Sequence, residues 1–236
     1  MMRRRVILAA VLIILILIIA TFPMRLALAM AGAEKSGLTA REVNGSVWAG
    51  ELIEARLGAL PLGNVRASLS PLALLGGDVE LAFSRPDARL GELAGRLHGS
   101  TPRGLSDLSG TTSLSGGLGL VPVDSLRFEG AAVRFDDRGR CVSASGRIQL
   151  SVGTSIAGLD LTRGLTGPLR CVEGRAQAAL ASQSGMERLT LGFDGSGAWR
   201  AEFAITADDP VMASALSAIG FRAGSNGFVL VSSGRF

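Results

Sequence analysis

Arg188-Leu189-Thr190-Leu191-Gly192-Phe193-Asp194-Gly195-Ser196-Gly197-Ala198-Trp199-Arg200-Ala201-Glu202-Phe203-Ala204-Ile205 decides the fold class. Leu189, Leu191 and Phe193 alternate with Arg188, Thr190 and Gly192, and Trp199, Ala201, Phe203 and Ile205 alternate with Arg200, Glu202 and Ala204. A period of two places one set on the buried face of a sheet and the other in water. Asp194-Gly195, extended by Ser196-Gly197, supplies the turn, so the stretch predicts a β-hairpin.

The same alternation recurs on both sides. Val79, Leu81 and Phe83 alternate with Asp78, Glu80 and Ala82, and Ile148, Leu150 and Val152 with Arg147, Gln149 and Ser151. Further strands are expected over 65–69, 126–128, 131–135, 176–180 and 228–231, the last entered through Asn226-Gly227. The chain holds 32 glycines and no tyrosine, which suits many short strands and tight turns better than helix. Helix is expected at 210–219, where Asp209 caps, Pro210 starts and Gly220 stops the run, and as a short turn at 71–75. The reading is mainly β: an extended, curved antiparallel sheet domain over 37–236, with one or two short helices. The Gly/Ser/Thr-rich stretch 100–121 is placed as a boundary between two halves.

The N-terminus differs from all of this. After Met1-Met2-Arg3-Arg4-Arg5, residues 6–24 are apolar except for Thr21 and Pro23. A helix over this run is about 28 Å long, close to the hydrocarbon thickness of a bilayer. The expectation is a cytoplasmic tail at 1–5, a single transmembrane signal-anchor helix at 6–24, a linker at 25–36, and everything after it in the periplasm, because cations beside a span favour the cytoplasmic side. A cleaved signal peptide ending near Ala27-Leu28-Ala29 is the competing reading; the length of the run favours the anchor.

The charge follows from the same segment. The formal net charge is +4, and Arg3, Arg4, Arg5 and Arg25 account for all of it. From residue 26 onward basic and acidic residues balance, so the basic pI is no argument for nucleic-acid binding.

Chemistry is hard to find. His98 is the single histidine and Lys35 the single lysine, which leaves no histidine cluster for a metal and no base beside a serine nucleophile. Asp136-Asp137, followed by Arg138 and Arg140, reads as turn chemistry. Asn44-Gly45-Ser46 matches a glycosylation sequon of little weight. No phosphate-loop, dinucleotide or nucleophile-elbow motif occurs. No catalytic residue, metal ligand, cofactor or small-molecule ligand is assigned. Cys141 and Cys171 lie in the exported part, where they form either a disulfide or a pair of buried thiols. The bridge is favoured and would close a loop worth about 3.5 kcal/mol in the chain-entropy model.

One segment is more specific. Val43-Asn44-Gly45-Ser46-Val47-Trp48-Ala49-Gly50 resembles the Gly-Thr-Val-Trp-x-Gly signature of type II secretion system protein N (general secretion pathway protein N). Leu60-Pro61-Leu62-Gly63, Leu69-Ser70-Pro71-Leu72-Ala73-Leu74-Leu75-Gly76-Gly77, the two cysteine segments and the final helix and strand follow in that family's order. Ser46 stands where the family more often has Thr, and 131–135 lacks an expected tryptophan. The resemblance gives Gly45, Val47, Trp48, Gly50, Pro71 and Gly76 structural roles, with Trp48 a core anchor or, alternatively, an exposed docking residue. It implies a non-enzymatic inner-membrane component of the secretion apparatus. Its partners would be other secretion subunits: the protein C type directly and the secretin indirectly. The alternative is an anchored β-groove protein carrying lipid between membranes.

Overall fold

The computed structural model describes residues 2–33, 37–57, 60–87, 89–113, 123–151, 164–206, 209–224 and 227–235. They form a mainly β chain with few helices, divided into two compact units between Arg85 and Pro86.

The first unit opens with helix α1 (Met2–Ala20) and helix α2 (Met24–Met30). The single span expected over 6–24 is therefore corrected: it is not one helix. Pro23 is extended, at φ −67° and ψ 134°. Its ring also biases Phe22 away from helical geometry, so α1 ends at Ala20. The uncharged part of α1, from Val6, is about 22 Å long at 1.5 Å per residue. No helix among the described residues is long and apolar enough to cross a membrane. The expected linker 25–36 holds most of α2, and its last residues, 34–36, lie outside the described set.

The strands of this unit are β1 (Leu38–Thr39), β2 (Glu42–Ser46), β3 (Ala49–Leu57), β4 (Leu60–Leu69) and the start of β5 (Glu80–Asp87), with helix α3 (Pro71–Leu75) joining β4 to β5. Both β1 and β2 pair antiparallel with β3, and β3, β4 and β5 follow in order. Leu52 and Ala55 are both buried although three apart. A β-bulge between them, with Glu54 at φ 51° and its N–H donated to Asn64 Oδ1, restores the parity. Met24, Val47, Leu52, Ala55 and Ala67 form the core of the unit.

The second unit is a meander. Strands β6 (Gly91–His98), β7 (Arg103–Ser113), β8 (Ser125–Phe135), β9 (Cys141–Ser151), β10 (Leu165–Val172), β11 (Arg175–Ala181), β12 (Glu187–Phe193) and β13 (Ala198–Ile205) pair antiparallel in sequence order. Helix α4 (Pro210–Ala218) then leads to β14 (Arg222–Gly224) and β15 (Gly227–Arg235), and β15 inserts between β13 and β14. The hairpin that opened the sequence reading is β12–β13, with Leu189 opposite Phe203 and Leu191 opposite Ala201. The register carries one apolar face through the unit: Leu165 opposes Leu150, Leu180 opposes Leu189, and Phe203 opposes Leu230. Leu150, Leu165, Leu180 and Leu189 are at most 2% exposed, each stabilising by roughly 1.5–3 kcal/mol. Asp209 caps α4 through Oδ1 to the Val211 N–H, and the helix buries Leu216. The stretch 100–121 carries β7 in its described part; 114–121, like Val152 and Asn226, lie outside the described residues.

Candidate functional site

Two constellations stand out, one in each unit. The first lies in the first unit, where α1 ends against the β2–β3 turn. The last carbonyls of a helix have no intrahelical partner. At the end of α1 one of them is taken by a tryptophan: Trp48 Nε1–H donates to the Ile19 carbonyl at 2.9 Å, and the Phe22 N–H reaches the same oxygen at 3.3 Å. Thr21 adds its hydroxyl to the Leu17 carbonyl at 2.7 Å. The chain then pairs with the turn, the Val47 N–H donating to Phe22 O at 2.9 Å and Pro23 bridging to Ser46. Val47 O in turn accepts the Leu69 N–H at 2.8 Å, which ties the end of β4 to the same point.

Glycines make this collar possible. Gly45 has φ +82°, and a Cβ there would collide with the Ala49 carbonyl. A Cβ on Gly50 would come within 2.9 Å of Met24 Cγ and 3.1 Å of the Ser46 carbonyl. Met24, 2% exposed, lies in the gap that Gly50 leaves. Trp48 is half-buried and packs against the Met24 cluster. Its ring on the cluster and its N–H on Ile19 link the end of α1 to the β2–β3 turn. Pro71 occupies the first turn of α3, which Ser70 Oγ caps by accepting the Ala73 N–H, and Gly76 is its C-cap. The sequence reading missed Ile19, Phe22 and Met24 as partners of Trp48. Pro23 was the available signal, since it breaks the apolar run where the chain must turn back.

The second constellation lies in the second unit. Cys141 and Cys171 are joined by a disulfide with Cα atoms 5.6 Å apart, and the Cys141 N–H donates to Gly174 O at 2.7 Å. Beside it, Asp136 Oδ1 accepts the N–H groups of Arg138 and Arg140 at 3.0 and 2.8 Å. The Arg140 backbone N–H is the largest cause that holds the Asp136 carboxyl below its usual range, opposed by desolvation. Asp194 likewise accepts the Ser196 hydroxyl and N–H and the Ala198 N–H, with Arg175 3.3 Å away. The Ser196 hydroxyl leads the causes that lower its pKa, again against desolvation. The Gly195 N–H donates to Gly139 O, knitting the β8–β9 and β12–β13 turns together. Asp136 thus builds a turn, while the neighbouring Asp137 receives the Thr101 hydroxyl. His98 Nε2 lies 2.9 Å from Ser106 Oγ. Among the described residues no group of three or more His, Cys, Asp or Glu is placed to hold a metal ion.

Gly45, Val47, Trp48 and Gly50 meet at the collar of the first unit, with Pro71 and Gly76 on the adjoining α3; Cys141 and Cys171 belong to the second unit. The arrangement offers packing, hydrogen bonding and covalent tethering. Comparison with curated proteins and with solved structures returns no match. A family model described as type II secretion system (T2SS), protein N, matches residues 36–231, which takes in the Trp48 turn, α3 and both cysteines. The chain belongs to the type II secretion system protein N family, a family of secretion-system components.

Proposed function

We propose that this chain is an accessory inner-membrane subunit of the type II secretion apparatus, supporting export of folded periplasmic proteins through protein–protein contacts. The carrying observation is the collar. It joins a sheet domain to a helix whose large apolar side chains between Val6 and Ile19 are all 51–67% exposed. A helix with apolar side chains on every face calls for a lipid surrounding. Arg3, Arg4 and Arg5 favour the cytoplasmic side for its N-terminus, with local thinning of the bilayer making up for the short α1, and the disulfide suits a periplasmic sheet. The partners are other secretion subunits, the protein C type first and the secretin through it. The short strand β14, exposed along its length, is a place where a partner strand can add.

The lipid-carrier reading needs an apolar trough open to lipid. The continuous apolar row on β9 to β13 is instead buried, which supports contact over carriage. The test is deletion of the gene with complementation by the full chain, together with co-purification in mild detergent. Loss of exoprotein secretion and recovery of the protein C type subunit are expected. Normal secretion in the deletion strain, or co-purified lipid in place of a subunit, would overturn the reading.

A further inference from the structure

Helix α3 presents Leu72 at 81% and Leu75 at 86% exposure. A five-residue link between two strands has no need of leucines on its surface, and its capping uses backbone groups and the Ser70 hydroxyl, not the leucine side chains. Their position explains them. In an antiparallel sheet successive connections alternate between the two ends, so the β2–β3 turn and the β4–β5 connection share one end. That is the end where α1 stops. Val47 is hydrogen-bonded to Phe22 on one side and to Leu69 on the other. Helix α3 therefore begins two strand spacings, about 10 Å, from the foot of α1. Trp48, next to Val47 in the chain, has its indole N–H on Ile19. An aromatic ring beside the last turn of an apolar helix belongs at the headgroup level of a bilayer.

We propose that α3 is a second membrane contact, its Leu72 and Leu75 side chains inserted into the interfacial layer beside α1. This rests on the reading that α1 lies in lipid. The occupant is the bilayer itself, because the exposed apolar surface of α1 reaches the same end of the sheet. A helix of about 22 Å uncharged length, short of the roughly 30 Å hydrocarbon core, then has a partner that fixes its depth. The capped turn from Pro71 to Gly76, with Ser70 at its start, gives these leucines a fixed direction.

The test uses the full chain. Both native cysteines are in the disulfide, so Leu75→Cys and, separately, Leu12→Cys each add one thiol for an environment-sensitive fluorophore. The labelled proteins are reconstituted in phosphatidylethanolamine–phosphatidylglycerol vesicles carrying spin-labelled lipid, with the quencher near the headgroup or deep in the chains. The expected result is blue-shifted emission at position 75 that is lost to the shallow quencher, with position 12 lost to the deep one. A quenched position 12 with position 75 in water overturns the inference and leaves α1 in lipid. A dry but unquenched position 75 means a protein covers it, and overturns the inference as well. An unquenched position 12 sinks the membrane reading, and the inference with it.

Discussion

The indole of Trp48 has two separable contributions, a ring that packs against the Met24 cluster and one N–H that satisfies Ile19 O. Trp48→Phe removes only the second. A lost hydrogen bond is worth about 1 kcal/mol, so local opening of the α1–α2 junction becomes roughly fivefold more frequent. Arg25, exposed on α2, reports it: limited trypsin digestion of the detergent-solubilised variant should cut after Arg25 about fivefold faster. An unchanged rate would mean that the bond does not fasten the helix. Asp194 is the corresponding residue in the second unit. Asp194→Ala removes the acceptor of the Ser196 and Ala198 N–H groups and of the Ser196 hydroxyl. It is expected to cost about 1–2 kcal/mol, a fall of roughly 3–6 °C in Tm by calorimetry. The sign with pH follows from the lowered pKa values of Asp136 and Asp194. Their contribution is fully present above the unfolded carboxylate pKa of about 3.9 and is lost as pH falls below it through the folded values. Urea midpoints should thus lose the contribution of these two turns below about pH 4, and Asp194→Ala should lose less than the wild type over that range. Equal losses would remove Asp194 from the account.

Elements show what the sequence made legible. Alternation located β12 and β13 to within a residue, because both strands have one buried face and a turn of Asp and Gly between them. Helix α4 was legible for another local reason, its Asp209-Pro210 start. What escaped the reading depends on partners. Residues 126–128 and 131–135 read as separate strands because the apolar parity changes between Phe128 and Ala131. In the structure they are one strand, β8, with Gly130 at φ 56° and a register shift between Glu129 and Ala132. A bulge of this kind flips parity without ending the ladder. Strand β7, Arg103–Ser113, has little alternation of its own and is held by the neighbours that pair with it. The collar was half legible: Trp48 declared itself as a large apolar anchor, but its partner lies 29 residues away, a distance that no local pattern encodes. Gly130 gives the prediction at this scale. Deleting it shifts the pairing by one and turns Ala131, Val133 and Phe135, all buried, away from the apolar face. The expected outcome is loss of the cooperative thermal transition, checked by circular dichroism, whereas Gly130→Ala should retain it with a cost of about 1 kcal/mol for a non-glycine residue at positive φ. A cooperative transition in the deletion variant would show that β8 re-pairs without the bulge.

At the scale of the whole chain, the covalent tether and the hydrogen-bonded collar belong to different units, and this separation has a measurable consequence. The disulfide joins Cys141 at the start of β9 to Cys171 near the end of β10, thirty residues later. In the chain-entropy model closing such a loop restricts the unfolded ensemble by about 3.5 kcal/mol, and measured values for native bridges are commonly about 2–4 kcal/mol. That stabilisation acts on the second unit, inside which both cysteines lie. In the folded state the neighbouring turns are already held by Asp136, Asp194 and the Gly195–Gly139 hydrogen bond. Removing the sulfurs therefore leaves the native ladder in place and acts mainly through the unfolded chain. The double variant Cys141→Ser/Cys171→Ser should show an unchanged strand signal by circular dichroism. Its urea midpoint should move to lower concentration by the equivalent of about 2–4 kcal/mol. Trypsin cleavage after Arg25, which reports the collar of the first unit, should keep its wild-type rate under native conditions. If the cleavage accelerates in step with the lost stability, the two units unfold as one body, and the collar is then only as strong as the sheet that follows it.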